Sequence, residues 1–289
     1  MRYEGMIYRP PSEARSLIVQ VTVGCSHNTC TFCTMYRDKH FHVRPEQEVL
    51  EDLAEAAEVY GGHVRRVFLA DGDALVLSNA RLLRIIDFIN THFPAVERVT
   101  AYATAADILR KTGAELAELR AAGLTMVYVG AESGDPQVLS DIRKDVTCEE
   151  MIEAAGKLKK AGIALSLTLI SGLGGKARLR EHALGSAALV SAMKPEYVGF
   201  LTLMLDEDAP IMREILEGRL LLLTPRDVME ELRLFLSNVD SEGTVFRANH
   251  ASNYVPVGGT LNAGIPAMLA AIEEAERRSA YRPEGWRAL

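Results

Sequence analysis

The chain has 289 residues, of which 48% are hydrophobic and 25% charged, with a net charge of −7 and a sequence pI near 5.6. This composition is typical of a globular protein, and the length allows one large α/β domain or two small ones. The lack of a basic excess argues against a nucleic-acid partner. No apolar run approaches the roughly 18 residues of a membrane span, and the polar N-terminus has no apolar signal core. We therefore expect a cytoplasmic protein with no membrane partner.

Strand and helix patterns alternate through the first two thirds of the chain. Apolar segments predict strands at 17–23, 67–70, 98–102, 125–129, 164–170 and 197–203. Helical spacing of apolar residues predicts helices at 45–60, 79–93, 149–161 and 181–193. Helical segments are also predicted between the strand at 98–102 and residue 122. Apolar strands alternating with helices indicate a parallel sheet covered on both faces. The pattern predicts an α/β fold, a partial (β/α)6 TIM-like barrel, with an open doubly wound sheet as the alternative.

The pattern changes after residue 205. Helices are predicted at 211–217, 225–238 and 265–279, with a short strand at 244–247 and an irregular polar stretch at 248–259. No linker separates this part from the rest. We predict a core over 1–205 and a C-terminal extension over 206–289 that packs on the same domain as a small cover.

Three cysteines follow the first predicted strand in a C-x4-C-x2-C pattern: Cys25, Cys30 and Cys33. Parallel α/β proteins build their sites where a strand ends. Thiolates so close together repel one another unless a cation neutralises them. Thiolate ligands suit zinc and iron–sulfur clusters, so the loop predicts a metal site.

Three interpretations of this loop remain open from the residues alone. A structural zinc would need a fourth ligand, which His27 or His40 could supply. A ferredoxin-type cluster would need a fourth cysteine, and Cys148 lies far downstream without metal-like neighbours. The third interpretation, which the strand-end position favours, is a four-iron cluster on three cysteines with one iron open to a ligand.

The loop resembles the signature of the radical S-adenosylmethionine (radical SAM) superfamily. The usual family spacing is C-x3-C-x2-C, and this chain has one residue more between Cys25 and Cys30. The stretch G-C-S-H-N-x-C-x-F-C-x-M-Y is similar to an uncharacterised subgroup, related to the branch of the Elongator catalytic subunit and coproporphyrinogen III dehydrogenase. The resemblance implies a [4Fe-4S] cluster on the three cysteines, with S-adenosylmethionine on the fourth iron. Phe32 then matches an aromatic position near the adenine.

Two strand ends extend the resemblance to the methionine and ribose parts of the cofactor. Asp71-Gly72-Asp73 stands where the family carries Gly-Gly-Glu, so Gly72 and Asp73 are expected at the cofactor's amino group. The segment 130–134, G-A-E-S-G, resembles the family's G-x-E-S-G and implies ribose contacts. The residues expected at the ribose and the methionine carboxylate are Glu132, the supporting Ser133, Lys144 and, as second choice, Arg143.

The fifth predicted strand ends in a glycine-rich segment similar to the family's adenine segment. The residues implied to contact the ring are Ile170, Gly172 and Leu173. Glycine allows backbone to approach a planar ring closely. The resemblance covers roughly residues 17–205.

The resemblance implies reductive cleavage of S-adenosylmethionine and hydrogen abstraction from a substrate, with flavodoxin or ferredoxin as electron donor. The remaining chain offers little room for a further domain, so we expect a small-molecule substrate. A dense polar stretch after the strand at 244–247 supplies the candidates for its pocket: Arg247, Asn249, His250, Asn253 and Tyr254. A polar capping loop is the alternative there. Modification of RNA or protein, and a zinc-stabilised or electron-transfer module, remain alternative functions.

Overall fold

The computed structural model describes residues 1–288. The strands are β1 (Leu17–Gln20), β2 (Thr22–Val23), β3 (His42–Val43), β4 (Arg66–Ala70), β5 (Arg98–Tyr102), β6 (Leu124–Glu132), β7 (Ala164–Ser171), β8 (Tyr197–Thr202), β9 (Val245–Ala248) and β10 (Val257–Thr260). The α-helices are α1 (Glu46–Tyr60), α2 (Asn79–His92), α3 (Ala105–Arg110), α4 (Gly113–Ala122), α5 (Pro136–Asp141), α6 (Cys148–Ala161), α7 (Leu179–Met193), α8 (Ile211–Leu216), α9 (Pro225–Asn238) and α10 (Ile265–Arg278). No helix within residues 1–288 is long and apolar enough to cross a membrane.

The observed elements agree with the sequence pattern in type, and they differ at three places. The first predicted strand divides into β1 and β2, and β2 pairs with β3 as a separate antiparallel ribbon. The helix α5 was not predicted, although Asp135 caps its N-terminus and Pro136 occupies its first position. The stretch expected to be irregular at 248–259 contains most of β10, which pairs antiparallel with β9. The sequence did not predict β10, because a preceding proline (Pro256) and two glycines are not typical of a strand.

The chain forms two compact units. The first contains Met1–Asn28, Met35–Val129 and Gly156–Leu165. Its strands run in the order β1-β4-β5-β6, all parallel. Phe68 on β4 meets the rings of Tyr102 and Tyr128 edge-on, at centroid distances of 5.0 and 5.9 Å. Parallel pairing of buried apolar strands therefore builds the core of this unit.

The second unit contains Thr29–Thr34, Gly130–Ala155 and the chain from Ser166 onward. β7, β8 and β9 are parallel, and β10 pairs antiparallel with β9 as the last strand of this order. Phe200 of β8, Phe235 of α9 and Phe246 of β9 pack against one another with centroid distances of 5.0 to 6.0 Å. α9 thereby covers the strands, and the carboxyl ends of β7 and β8 lie side by side at Ser171 and Thr202.

Candidate functional site

The cysteine loop is held at both ends by one buried carboxylate, Asp71, directly after β4. Asp71 accepts hydrogen bonds from the Gly24 amide at 3.2 Å and from Lys39 Nζ at 2.6 Å. Gln20 Nε2 donates to the same oxygen at 3.2 Å. Gly24 precedes Cys25 and Lys39 follows the loop, so Asp71 fixes where the loop leaves and returns. Burial raises the pKa of Asp71, and the hydrogen bond from Lys39 opposes that rise.

Gly72 lets the loop lie directly against the end of β4. Its amide donates to the Gly24 carbonyl at 3.0 Å. A Cβ at this position would lie 2.8 Å from the Tyr36 ring and 3.0 Å from the Cβ of Cys25. Only glycine fits such an approach without displacing the ring or the cysteine.

Asp73 is fully buried beside the cysteine loop. Its Oδ2 accepts from Ser26 Oγ at 2.5 Å, while its Oδ1 has no hydrogen-bond partner among the described residues. Burial, followed by the neighbouring carboxyl of Asp107, raises the pKa of Asp73 well above its ordinary value. A buried carboxyl with an unsatisfied oxygen suits a cationic N–H donor, because such a donor would replace the missing partner.

Asn28, between the first two cysteines of the C-x4-C-x2-C loop, has an unusual backbone conformation. Asn28 has a left-handed φ of 40°, which asparagine tolerates better than most residues, and its Nδ2 donates to the Tyr36 carbonyl at 2.9 Å. None of the cysteines forms a disulfide, and Cys25, Cys30 and Cys33 are all partly exposed. No three His, Cys, Asp or Glu side chains between residues 1 and 288 gather as ligands of a single metal ion.

In the second unit, Glu132 at the end of β6 forms an ion pair with Lys144 at 3.0 Å. Glu132 has a φ of 66°, an unusual backbone conformation for a residue with a side chain. A Cβ at Gly130 would lie 2.0 Å from Glu132 Oε1, so the glycine gives the carboxylate its space. Asp145 stands where the family carries glycine, and its φ of 50° explains that preference. Arg143 is exposed to solvent.

An apolar cluster connects the other predicted cofactor residues of the second unit. Val138, Ile142 and Leu173 are buried there, and Phe32, Ile170 and Leu203 pack against them. The Thr31 amide donates to the Ile142 carbonyl at 2.9 Å, which fixes Phe32 beside α5. Gly172 is buried and has a φ of 92°. Phe32 of the cysteine loop and the pair Ile170 and Leu173 of the fifth-strand segment, predicted from two separate motifs, therefore share one apolar surface.

A buried polar network was missed by the sequence analysis. Ser133 Oγ lies 2.8 Å from His182 Nδ1, and His182 Nε2 lies 4.0 Å from Glu231 Oε1. The other oxygen of Glu231 accepts from Ser171 Oγ at 2.5 Å and from the Gly172 amide at 3.0 Å. Burial raises the pKa of Glu231. The network ties the carboxyl ends of β6 and β7 to α7 and α9, and only a polar residue on the apolar side of α9 could have signalled it.

The polar loop after β9 is folded against β8. Asn253 donates to the Phe200 carbonyl at 3.0 Å and accepts from Thr202 Oγ1 at 2.9 Å, and the Tyr254 hydroxyl bonds Glu284. Asn249 and Arg247 are exposed, whereas His250 is half-buried. The polar atoms of Asn253 and Tyr254 are thus directed to the protein itself.

Each unit, taken by itself, offers residues whose chemistry suits an iron–sulfur cluster or S-adenosylmethionine. Three partly exposed thiols stand on one loop, which supplies the donor chemistry of a cluster. Asp73 Oδ1 lacks a partner, and Gly72 keeps the strand end open beside Cys25. The apolar cluster at Phe32 and Leu173 offers a surface for a planar base.

The family comparison decides the class of protein. Residues 19–179, more than half of the chain, match the model of the radical SAM superfamily. The chain belongs to the radical SAM superfamily. Radical SAM proteins use a [4Fe-4S] cluster and S-adenosylmethionine, so these are the cofactors of the chain and the protein is an enzyme of this class. No curated protein matches it.

Solved radical SAM structures share the fold at low sequence identity. Coproporphyrinogen III oxidase from Escherichia coli is 19% identical with a TM-score of 0.57, over 77% of this chain and 52% of the other. The TsrM methyltransferase from Kitasatospora setae, solved with cobalamin and a [4Fe-4S] cluster, is 20% identical with a TM-score of 0.56, over 70% and 39%. Elp3 from the archaeon Methanocaldococcus infernus is 14% identical with a TM-score of 0.53, over 92% and 64%.

These similarities confirm the predicted radical SAM fold class, an α/β arrangement with mostly parallel strands as in TIM-like partial barrels. The branch that the cysteine loop resembles is represented among these structures by coproporphyrinogen III oxidase and Elp3. The chain spans between about 39% and 64% of the lengths of these three relatives. At such identities the comparison concerns the fold alone.

Proposed function

We propose that this radical SAM enzyme cleaves S-adenosylmethionine reductively and abstracts a hydrogen atom from a small-molecule substrate. The observation that carries the proposal is the C-x4-C-x2-C loop, held at the end of the first strands by Asp71, in a chain of this family. When bound and reduced, the cluster supplies one electron to the sulfonium of the cofactor. We assign Cys25, Cys30 and Cys33 as the cluster ligands.

The chain's own residues would bind and orient the cofactor. In the first unit, Asp73 and the backbone at Gly72 are assigned to the amino group, because Asp73 Oδ1 lacks a donor. In the second unit, Glu132 is assigned to the ribose with Ser133 in support, and Lys144 to the methionine carboxylate, with Arg143 as the second choice. Phe32, Ile170, Gly172 and Leu173 are assigned to the adenine, which their apolar surface suits.

The remaining assignments concern the substrate and the electron donor. His250, Asn249, Asn253, Tyr254 and Arg247 stay our candidates for the loop that meets a small substrate. We propose flavodoxin or ferredoxin as the electron donor. A cytoplasmic location would keep the cysteine thiols reduced, as cluster binding requires. The division into a core over 1–205 and a cover over 206–289 also stays a proposal.

The test is anaerobic purification and cluster reconstitution, followed by dithionite and S-adenosylmethionine and an assay for 5′-deoxyadenosine. We expect about four irons per chain, as for a [4Fe-4S] cluster, and 5′-deoxyadenosine that depends on the cofactor. The matched control is the triple variant with Cys25, Cys30 and Cys33 changed to Ala. A colourless protein with stoichiometric zinc, or a four-iron protein that produces no 5′-deoxyadenosine, would overturn the proposal. Turnover that requires added RNA or protein would replace the small-molecule substrate.

A further inference from the structure

The half-buried ring of His250 has a defined hydrogen-bonding state. The Ser252 amide donates to His250 Nδ1 at 3.2 Å. Ser252 Oγ accepts from the Thr202 amide at 3.3 Å, so its own proton is available for Nδ1, which lies 3.1 Å away. Nδ1 therefore acts as an acceptor and carries no proton. In the neutral ring the proton must then be on Nε2.

His250 Nε2 has no hydrogen-bond partner among residues 1–288. Burial, and then the charge of Arg282, lower the pKa of His250, which keeps the ring neutral. A neutral ring with Nδ1 occupied offers one N–H group to a ligand. That group is a hydrogen-bond donor and cannot act as a base.

The C-terminal segment fixes the loop that carries this ring. Arg282 Nη1 donates to the carbonyls of His250, Ala251 and Asn253 at 3.0, 2.6 and 3.0 Å. Arg287 donates to the Ser252 carbonyl at 2.7 Å and to the Leu203 carbonyl at 2.9 Å. Leu203 belongs to the apolar cluster that contains Phe32 and Leu173. Arg287 therefore connects the His250 loop to Leu203 of the predicted adenine surface, and all of these residues belong to the second unit.

The charges around the loop favour an anion. Arg287 is paired with Glu284, whose carboxylate also meets the Tyr254 hydroxyl. Arg282 has only carbonyl partners, and no carboxylate pairs with it anywhere in the described chain. Arg282, docked on the loop, thus contributes a guanidinium without a carboxylate partner, and His250 contributes one N–H donor. A guanidinium and an N–H donor together match a carboxylate.

We propose that His250 and Arg282 form a receptor for a carboxylate group of the substrate, with His250 donating from Nε2. The inference rests on the proposed function, because it names the substrate class of that site. Ser252 and Thr202 act as positioning residues: they hold Nδ1 as an acceptor and so direct the proton to Nε2. Arg287 positions the loop beside Leu203.

The test uses the full chain with its cluster and nitrogen-15 histidine labelling, with succinate and the uncharged succinamide as probes. His250→Gln identifies the signals of His250 among the seven histidines. We expect Nδ1 to be unprotonated and Nε2 protonated, and we expect succinate to shift the Nε2 signal saturably while succinamide does not. Arg282→Gln should weaken succinate binding at least tenfold. Arg278→Gln, an exposed cation paired with Glu274, is the matched control and should bind as the wild type does.

A proton on Nδ1, an equal response to succinamide, no response to succinate, or unchanged succinate binding by Arg282→Gln would each overturn the inference. Because Arg282→Gln could loosen the loop, succinate binding is also measured calorimetrically on His250→Phe, which keeps Arg282 and should likewise lose at least tenfold in affinity. Failure of the proposed function appears separately, as a wild-type protein that makes no 5′-deoxyadenosine. The two failures are therefore distinguishable.

Discussion

At the scale of single residues, Cys25, Cys30 and Cys33 are the ligands that we propose for the cluster. Changing Cys25, Cys30 or Cys33 singly to Ala should abolish binding of the full cluster, since each thiolate is assigned to a different iron. The measurement is iron and sulfide content after reconstitution. Cys148→Ala is the control: its thiol donates to the Gly134 carbonyl at 3.3 Å at the start of α6, and burial raises its pKa. Four irons retained by any of the first three variants would refute the ligand assignment.

The buried Lys39–Asp71 ion pair anchors the chain that follows the cysteine loop. Both side chains are buried, and Lys39 Nζ also donates to the Met6 carbonyl at 2.5 Å. Asp71→Ala should lower the free energy of unfolding by about 3–5 kcal/mol, because it leaves a buried ammonium without its partner. Urea denaturation measures the change. Glu97→Gln, which breaks the exposed pair with Arg65, should leave the midpoint nearly unchanged. Similar midpoint losses in both variants would contradict this.

Glu231 should make stability depend on pH. Burial raises its pKa, so the folded chain binds this proton more tightly than the unfolded chain does. Its contribution is therefore complete below the ordinary carboxyl pKa, about 4, and is lost as pH rises through the raised value. Glu231→Gln removes this titration. The free energy of unfolding of Glu231→Gln should therefore increase relative to that of the wild type as the pH rises above about 4.

The comparison requires urea unfolding of both proteins across that pH range. Glu230→Gln, one residue away on the exposed side of α9 and paired with Arg233, is the control and should follow the wild type. His182 faces Glu231 from α7, and its charge opposes the rise in the Glu231 pKa. Parallel stability curves for the wild type and Glu231→Gln would show that Glu231 keeps its ordinary pKa.

At the scale of elements, two glycines bring the end of β6 against α7. A Cβ at Gly134 would lie 2.2 Å from the Gly185 carbonyl oxygen, and one at Gly185 would lie 2.5 Å from the Gly134 oxygen. The final glycine of the G-x-E-S-G segment thus has a packing reason in addition to any cofactor role. The same contact places Ser186 where its hydroxyl accepts from the Gly134 amide at 3.0 Å.

Gly134→Ala and Gly185→Ala should each lower the free energy of unfolding by about 1–3 kcal/mol, because backbone must move to admit the methyl group. Gly156→Ala is the matched control. Gly156 lies inside α6 with open space around its Cβ position, so alanine should stabilise the chain by about 0.5–1 kcal/mol. Thermal unfolding checks all three. A neutral Gly134→Ala would indicate that β6 and α7 separate easily.

The elements also show how far sequence patterns extend. Pro225–Asn238 was predicted with its observed bounds, and in the structure Thr224 and Asp227 form a capping box at its start. β10 was missed because two of its four residues are glycine, which carries no hydrophobic periodicity. The strand exists through its pairing with β9, a contact between segments that local patterns do not report.

At the scale of the whole molecule, the last described residues stabilise the loop after β9. Arg287→Ala should raise hydrogen exchange across 248–255 by at least tenfold, because three of its contacts hold this loop: the Ser252 carbonyl, the Leu203 carbonyl and the Tyr254 hydroxyl. Mass spectrometry of exchanged peptides measures it. Arg277→Ala, an exposed residue of α10 paired with Glu274, should leave the loop protected. Equal protection in Arg287→Ala would show that β8 and Arg282 hold the loop without Arg287.

The sequence by itself determined the class of this protein. The C-x4-C-x2-C loop, the glycine-rich strand ends and the alternation of apolar strands with helices all depend on residues close together in the chain. Local spacing is sufficient for these features, because turn chemistry, helix caps and strand burial are properties of short segments.

Only the tertiary structure decided which distant residues act together. Lys39 with Asp71, His182 with Glu231, and Arg282 with the His250 loop are pairs whose members are remote in sequence, and none carries a local signal. Their interactions have a physical reason that spacing cannot report: burial removes water, and each buried polar atom must then find its partner from another element. The cysteine motif could be recognised from the sequence, whereas the buried polar contacts that hold the surrounding residues in place are known only from the fold.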